Sequence, residues 1–348
     1  MNIVNTIRLR GPAILIGALA AAALLAAGLA AALAWGGPST PAPMRSINSP
    51  FETASRDSMP ALSRYRARDG KPLAYRAYTP AAGGAAALGA VVLVHGSSAS
   101  SASMHTLARA YAKAGYAAFA LDVRGHGESG AESGSGSGQK GQIDYIGQLE
   151  DDIEDFMRAV LPEPPAMPAT LVGFSSGGGF VLRFAGSPRQ ALFQSYLLLS
   201  PFLGQDSPTQ RPGSGGWASV GMPRVVALTL LHRIGFTAFE TLPVVRFALD
   251  EESRAWLTPE YGFRLAANFR PHSDFRADMA AAMRPCAVLA GTDDEAFITT
   301  QLQATVKSAG KDWTVRLLPG IGHIPLILDG RAVDAAVQSV RRLQSSAG

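Results

Sequence analysis

A serine flanked by glycines has the setting in this sequence that best fits nucleophilic chemistry. Residues 173–177 have the sequence Gly-Phe-Ser-Ser-Gly and directly follow the aliphatic run at residues 169–172. This pattern predicts a strand, a tight turn and the start of a helix, with the Ser175 hydroxyl raised above the strand end. Gly173 and Gly177 are expected there because a Cβ at either flank would collide with neighbouring backbone. A flexible loop rich in glycine and serine is the alternative.

A serine hydroxyl needs a general base within hydrogen-bond reach, and that base must be oriented by an acid. Six histidines are present, and His323 lies in a Gly-Ile-Gly-His sequence after the last predicted strand. Asp294 follows the preceding predicted strand in the sequence Gly-Thr-Asp-Asp-Glu, where Asp293 and Glu295 are alternatives. The chain order Ser, Asp, His is the one expected for a nucleophile on such a turn. We therefore predict a triad of Ser175, Asp294 and His323.

Strands that alternate with helices would bring these residues together. The predicted strands lie at residues 90–94, 117–121, 169–172, 196–200, 286–290 and 313–318, with helices at 104–115, 146–161 and 331–343 and a β-hairpin at 65–78. This alternation predicts an α/β fold with a doubly wound, mostly parallel sheet. Loops that follow parallel strands gather at one edge of the sheet, where Ser175, Asp294 and His323 can converge.

The alternation is interrupted between about residues 202 and 281. A structureless loop of that length is improbable in a compact domain, so we predict a helical cap inserted between two strands. Apolar residues in this segment favour an acyl chain or another apolar substrate, although packing of the cap on the core would also explain them: Leu228, Leu230, Leu231, Ile234, Phe236, Phe239 and Phe247.

The N-terminal region has the composition of a membrane-spanning helix. Residues 11–44 carry no charge, and residues 13–35 form an almost unbroken apolar block. As a helix this block would be about 34 Å long, enough to cross a bilayer. Arg8 and Arg10 precede it and the next basic residue is Arg45. This asymmetry places the N-terminus in the cytoplasm and the rest of the chain outside it.

Two interpretations of this region give an extracytoplasmic, periplasmic or cell-surface catalytic domain. We favour an uncleaved signal anchor at residues 1–37. The alternative is a signal peptide cleaved after Ala34, which fits the small-x-small pattern and would release the protein. A linker rich in Pro, Ser and Gly is predicted at residues 38–62, followed by the catalytic domain at residues 63–348.

Composition excludes several other functions. The formal charge of +4 comes from scattered arginines with no basic run, so the sequence does not indicate nucleic-acid binding. Cys286 is the only cysteine, which excludes an intramolecular disulfide and a multi-cysteine zinc site. Residues 136–141 match a Gly-x-Gly-x-x-Gly dinucleotide pattern, but no predicted strand runs into them, and residues 133–138 are better interpreted as a flexible loop. We expect neither a metal nor another cofactor.

Five motifs together resemble those of the α/β-hydrolases, in particular the monoacylglycerol lipase and lysophospholipase-like branch, also called the serine aminopeptidase group. They lie in order at residues 94–96, 122–129, 173–178, 291–294 and 322–323. The resemblance runs from about residue 63 to about residue 343 and is weakest across the cap. It implies the α/β-hydrolase fold and hydrolysis of a carboxylic ester through an acyl-enzyme.

The resemblance also implies roles for particular residues. Ser175 would be the nucleophile, His323 the general base and then acid, and Asp294 the acid that orients His323. The backbone N–H groups of Ser97 and Ser176 would form the oxyanion hole. His95, Gly96, Gly173 and Gly177 would support these residues. His126 is expected to support a neighbouring loop, and Asp122 and Arg124 to form an ion pair or a loop anchor.

The resemblance identifies the substrate less closely than the mechanism. The residue before the nucleophile is often His in this group and here is Phe174, and the one after it is often Met and here is Ser176. Neither side chain is required for the mechanism. The expected partners are a small apolar ester and, through the N-terminal helix, a membrane. Peptidase or amidase activity, or a catalytically silent binding domain of the same fold, are the alternatives.

Overall fold

The computed structural model describes residues 10–80, 87–129, 140–161 and 167–346, so the predicted loop at residues 133–138 lies outside the described residues. The strands are β1 (Leu62–Arg66), β2 (Pro72–Tyr78), β3 (Ala90–Val94), β4 (Ala117–Leu121), β5 (Ala169–Phe174), β6 (Ser195–Leu199), β7 (Ala218–Val220), β8 (Pro243–Phe247), β9 (Glu260–Gly262), β10 (Cys286–Gly291) and β11 (Thr314–Leu318). The helices are α1 (Arg10–Trp35), α2 (Arg45–Asn48), α3 (His105–Lys113), α4 (Gln148–Val160), α5 (Ser176–Ala185), α6 (Met222–Arg233), α7 (Glu251–Trp256), α8 (Phe263–Asn268), α9 (Phe275–Ala281), α10 (Leu302–Ser308), α11 (Pro325–Leu328) and α12 (Gly330–Ser346).

The central sheet has eight strands in the order β1-β2-β4-β3-β5-β6-β10-β11. Strands β3, β4, β5, β6, β10 and β11 pair in parallel, whereas β2 runs antiparallel to both β1 and β4. The β1–β2 hairpin turns through Gly70, whose φ of 81° suits a residue without a Cβ. The predicted doubly wound, mostly parallel α/β sheet is confirmed.

Two apolar layers cover the faces of this sheet. In β3, Val92 and Val94 face one layer and Val91 and Leu93 face the other, and all four side chains are fully buried. Helices α4, α5, α9 and α10 pack on the first face, and α3, α11 and α12 pack on the second. Burial on both faces explains why these strands are continuous apolar runs without polar alternation.

The cap lies between β6 and β10 and contains both helices and strands. Helices α6, α7 and α8 are accompanied by a three-stranded antiparallel sheet in the order β7-β8-β9. The prediction of a helical cap did not include this sheet. Its outer strands are three residues long, too short to show an alternating pattern, and the middle strand begins at Pro243.

Helix α1 packs its last turns on the cap. Leu33 contacts a small cluster formed by Leu228 of α6, Val244 of β8 and Phe263 of α8. Within the described ranges, one helix, Ile14–Trp35, is long and apolar enough to cross a membrane, with a mean hydropathy of 2.4. By the same length and composition a cleaved signal sequence would also qualify.

Part of the predicted linker packs on the central sheet and the cap. Ile47 of α2 is buried in the second apolar layer. Asn48 donates its side-chain amide to the Ala248 carbonyl at 3.0 Å, and the Met44 N–H donates to the same carbonyl at 3.0 Å. These contacts tie the segment that follows α1 to the end of the cap sheet.

Candidate active site

The turn between β5 and α5 holds Ser175 in an unusual backbone conformation. Its φ is 56° and its ψ is −119°, a region that non-glycine residues rarely occupy and that costs about 1–3 kcal/mol. A Cβ on Gly173 would overlap the carbonyl oxygen of Gly177, and a Cβ on Gly177 would overlap that of His95. The Ser175 N–H donates to the Leu199 carbonyl of β6 at 2.9 Å. The flanking glycines are therefore sterically required where the turn crosses the neighbouring backbone.

His323 lies in the loop between β11 and α11 and faces Ser175. Its Nε2 is 3.1 Å from Ser175 Oγ, and its Nδ1 is 2.8 Å from Asp294 Oδ2. The ring is packed between Phe174 and Phe297, with centroid distances of 4.7 and 5.2 Å, and its backbone N–H donates to Glu295 at 2.9 Å. With the ring buried and held on both sides, Nε2 can accept the serine proton while Nδ1–H donates to the carboxylate.

Asp294 follows β10 and is fully buried. Its Oδ1 accepts the N–H groups of Ala296 and Phe297, both at 2.8 Å. Its Oδ2 accepts from His323 and from the Ser200 hydroxyl. Burial alone would raise the pKa of this carboxyl, but His323, Ser200 and the Phe297 N–H together hold the pKa below its usual value. Asp294 can therefore stay ionised beside the imidazole.

The two rival acids occupy other positions. Asp293 is exposed and accepts a hydrogen bond from the Thr292 hydroxyl at 2.7 Å. Glu295 accepts the backbone N–H of His323 and makes no contact with the imidazole ring nitrogens. Among the three carboxylates, Asp294 is the one that meets His323 Nδ1.

The loop after β3 lies directly against the nucleophile. A Cβ on Gly96 would be 3.2 Å from the Ser175 Cβ, so the two chains are closely packed here. Neither the Ser97 N–H nor the Ser176 N–H donates a hydrogen bond to any group in the described part of the chain. Ser176 is also the first residue of α5, where the helix dipole favours negative charge. Neither N–H group is therefore used within the described residues, and Ser176 directly follows the nucleophile in the sequence.

His95 supports this loop from within. Its Nδ1 is 2.7 Å from the Gly96 carbonyl, and its Nε2 accepts the Val123 N–H at 3.2 Å. The first contact therefore places the ring proton on Nδ1. Burial lowers the pKa of His95, which keeps it neutral. The His95 side chain thus holds two loops together. Its two ring nitrogens contact backbone groups and not the Ser175 hydroxyl.

The cap holds the next residue of the loop through side chains that the sequence analysis missed. Ser98 has a φ of 68°, and its N–H donates to the Tyr261 hydroxyl at 2.6 Å. Tyr261 in turn donates to His126 Nε2 at 2.6 Å, and the Ser98 hydroxyl donates to the Thr258 carbonyl at 2.7 Å. Trp217 donates its indole N–H to the Ser97 hydroxyl at 2.9 Å. No local pattern in the cap indicates these contacts.

The residues after β4 anchor loops separately rather than as a pair. Asp122 accepts the N–H groups of Ser101 at 2.7 Å and Glu128 at 2.8 Å, so it is a loop anchor. Arg124 pairs with Asp152 and with Asp69 instead.

Burial raises the pKa of Cys286 to about 12, which makes it an inert thiol. Across the described ranges, no group of three or more His, Cys, Asp or Glu side chains could hold a metal ion.

Comparisons with known proteins find a curated protein of related sequence and solved structures of similar fold. A monoacylglycerol lipase from Mycolicibacterium smegmatis is 33% identical over 99 residues, which are 28% of this chain and 32% of that relative, so about two thirds of the relative is not matched. A soluble variant of monoglyceride lipase from Saccharomyces cerevisiae, solved with a substrate analog, has a TM-score of 0.61 at 17% identity over 84% of this chain and 97% of that chain. A membrane phospholipase A has a TM-score of 0.51 at 15% identity over 98% of each chain.

These two structures show that the chain shares their fold. At identities this low, a shared fold carries no information on activity. The family model described as serine aminopeptidase, S33, matches residues 85–327, from the residues before β3 to α11. The match therefore includes the loop after β3, the turn at Ser175 and both Asp294 and His323. Because it covers well over half of the sequence, the chain belongs to the serine aminopeptidase (S33) family of the α/β-hydrolases.

Proposed function

We propose that this protein hydrolyses carboxylic esters through an acyl-enzyme, with Ser175, His323 and Asp294 as its triad. The observation that carries the proposal is the continuous hydrogen-bonded chain from Ser175 Oγ through His323 to Asp294, with distances of 3.1 and 2.8 Å. This series of hydrogen bonds begins at the strained turn that carries Ser175 after the end of β5. Strain retained at such a position is typical of a functional site.

The proposed reaction has two halves. His323 Nε2 takes the proton from Ser175 Oγ as the oxygen attacks the ester carbonyl, and the same proton then goes to the departing alkoxide. In the second half His323 takes a proton from water, the resulting hydroxide attacks the acyl-serine, and the carboxylic acid leaves as the proton returns to Ser175. Asp294 stays ionised throughout and stabilises the imidazolium that forms in each half.

The negative charge that develops on the carbonyl oxygen would be held by the N–H groups of Ser97 and Ser176. Each such donor typically lowers the barrier by about 3 kcal/mol. Support comes from the closeness of Gly96 to Ser175 and from the lack of another acceptor for either N–H among the described residues. A donor that is already oriented and unpaired needs no rearrangement when the oxyanion forms.

Apolar acyl esters are the proposed substrates. The curated relative that matches part of this chain at 33% identity is named monoacylglycerol lipase, which favours an ester of a fatty acid. The family description, serine aminopeptidase, supports the alternative of amide hydrolysis. A catalytically silent domain is the remaining alternative, and the intact triad geometry argues against it.

We also propose that α1 is an uncleaved anchor and that the catalytic domain lies outside the cytoplasm. Arg224 of the cap donates to the carbonyls of Leu33 at 2.9 Å and Ala34 at 3.2 Å. Cleavage after Ala34 would remove both acceptors and the helix that packs on α6. An intact N-terminus on protein extracted from membranes would support the anchor, whereas a mature chain that starts at Trp35 would reject it.

One panel of substrates tests the catalytic proposal. p-Nitrophenyl esters of increasing chain length and aminoacyl anilides should be assayed with the wild-type protein, Ser175→Ala and Ser345→Ala, an exposed serine on α12. We expect ester hydrolysis that falls by about 10⁵-fold or more in Ser175→Ala and is unchanged in Ser345→Ala. Turnover of anilides but not esters would establish the amidase alternative. No turnover, or full activity in Ser175→Ala, would reject the mechanism.

A further inference from the structure

Helix α6 of the cap exposes an apolar face. Met222, Val226 and Leu230 are spaced four residues apart, so they lie on one side of the helix. Their exposed fractions are 48%, 52% and 45%. The opposite side of the same helix carries Ala227 and Leu228, which are buried in the cap. The helix therefore has an apolar side in the core and a second apolar side that faces out.

The segment after α6 continues this surface. Ile234, Phe236 and Phe239 are also exposed, and the two phenylalanine rings contact each other at a centroid distance of 5.7 Å. We name these six side chains the cap apolar face: Met222, Val226, Leu230, Ile234, Phe236 and Phe239. Exposed apolar side chains grouped on one helix and the turn that follows it normally mark a contact with another apolar body.

The position of α6 beside α1 indicates what that body is. Arg224, on the same helix, holds the last carbonyls of α1 and also donates to the Pro243 carbonyl at 2.8 Å. The two segments touch closely, because a Cβ on Gly221 would be 2.6 Å from the Gly36 carbonyl oxygen. The end of α1 therefore lies in direct contact with the start of α6.

The length of α1 then places the cap apolar face relative to a bilayer. The 22 residues of Ile14–Trp35 rise about 33 Å, close to the thickness of the hydrocarbon core. Trp35 is 84% exposed at the far end, where aromatic side chains favour the membrane interface. If α1 spans the bilayer, α6 lies at the level of the extracytoplasmic interface.

We propose that the cap apolar face inserts into the extracytoplasmic leaflet of the same bilayer that α1 spans, so that the lipid acyl chains are its partner. This inference rests on the proposed anchor. Six large side chains that would otherwise face water are then covered by lipid, which favours docking through the hydrophobic effect.

The docked surface connects to the candidate site through the cap sheet. Leu228 of α6 packs on Val244 of β8, on the side that faces α1. The same three-stranded sheet supplies Tyr261, which holds Ser98, and is preceded by Trp217, which holds Ser97. Docking would thus place the loop that carries Ser97 one sheet away from the lipid surface that holds the ester.

Single-cysteine labelling of the full chain tests the docking, since Cys286 is the only native cysteine. In a Cys286→Ala background, Leu230→Cys and Phe236→Cys would carry an environment-sensitive fluorophore. Met283→Cys is the matched control, because Met283 is apolar and 79% exposed. It lies just before β10, at the edge of the sheet opposite to the carboxyl edge that carries the candidate site. Leu19→Cys reports on α1. The vesicles contain about three parts phosphatidylcholine to one part phosphatidylglycerol, with or without bromine on the acyl chains.

We expect brominated lipid to quench the probes at positions 19, 230 and 236 and to leave the probe at position 283 unaffected. Quenching at 19 without quenching at 230 and 236 would overturn the docking and leave the anchor intact. No quenching at 19 would overturn both the anchor and the docking that depends on it. The probes at 230 and 236 could instead report an apolar environment that brominated lipid does not quench and that increases with the protein-to-lipid ratio. That result would identify a second copy of the protein as the occupant and would also overturn the proposal.

An activity comparison provides a second readout. The double variant Leu230→Ser with Phe236→Ser should hydrolyse an ester embedded in vesicles about tenfold more slowly than the wild-type protein. Its rate on soluble p-nitrophenyl acetate should stay unchanged, because both side chains are exposed and acetate has no long acyl chain for them to contact. An equal fall on both substrates would contradict the proposal.

Discussion

At the carboxyl edge of the sheet, Ser175, Asp294 and His323 each lie within a few residues of a strand end. The cap, by contrast, reaches the same site only through side chains such as Trp217 and Tyr261, which come from a separate small sheet. The strands therefore position the reacting groups through backbone geometry, whereas the cap positions the oxyanion loop through individual hydrogen bonds. This difference predicts that substitutions at the sheet edge should reduce activity far more than substitutions in the cap.

Among variants outside the triad, the largest effect is expected from Gly177→Ala. The new Cβ would overlap the carbonyl oxygens of His95 and Val94, so the turn and the loop with Ser97 would have to separate. We expect kcat/KM to fall at least about a hundredfold, since small displacements of reacting groups have effects of this size. Gly330→Ala is the control, because nothing lies within 4 Å of its Cβ position. Ester kinetics with urea unfolding would measure both, and near-normal activity in Gly177→Ala would contradict the steric argument.

Tyr261→Phe tests the contribution of the cap and should have a smaller effect. Its hydroxyl accepts from Ser98 and donates to His126, so its removal leaves two buried polar groups unpaired. We expect kcat to fall about tenfold with KM little changed, because each unpaired group costs about 1–3 kcal/mol and loosens the loop.

Tyr111→Phe is the matched control for Tyr261→Phe. Tyr111 is equally buried, in α3, and its hydroxyl makes no hydrogen bond among the described residues. Activity and the free energy of unfolding should stay close to wild type in this variant. Equal losses in both tyrosine variants would show that removal of any buried tyrosine hydroxyl, and not loss of the link to Ser98, determines the effect.

The same contrast explains which features were predictable from the sequence. Apolar runs such as residues 90–94 and 117–121 have the observed strand bounds, because strands buried on both faces must be continuously apolar. Glycines beside Ser175 signal the turn because their neighbours leave no space for a Cβ. The edge of the sheet is thus encoded by short segments whose geometry is local.

The cap could not be predicted in this way. Its strands β7 and β9 are three residues long, and Tyr261 meets Ser98 across more than a hundred residues of chain. Such contacts depend on tertiary packing, which overrides weak local patterns. Ser200 is an intermediate case, because a hydroxyl directly after an aliphatic strand at this edge is a signal that the sequence analysis did not use.

Ser200→Ala should give the smallest effect on rate and a diagnostic effect on pH dependence. Ser200 donates to the same Asp294 oxygen that meets His323, and its φ of 41° is equally strained for Ser and Ala, so the change mainly removes one hydrogen bond. We expect kcat/KM to fall about fivefold. The pKa of Asp294 is held below its usual value partly by this hydroxyl, so it should rise in the variant.

The sign of the pH effect follows from that depressed pKa. An ionised Asp294 contributes stability above the pKa it has in the unfolded chain, and this stability is lost as pH falls through the lower pKa of the folded state. In Ser200→Ala the loss should begin at a higher pH, and the acid limb of kcat/KM should move in the same direction, since the proposed mechanism needs an ionised Asp294. Urea unfolding and ester kinetics between about pH 7 and pH 3 would measure both shifts. Ser339→Ala, whose hydroxyl donates to a backbone carbonyl in α12, should shift neither, and an unshifted Ser200→Ala would mean that the backbone N–H groups of Ala296 and Phe297 are sufficient to hold Asp294 ionised.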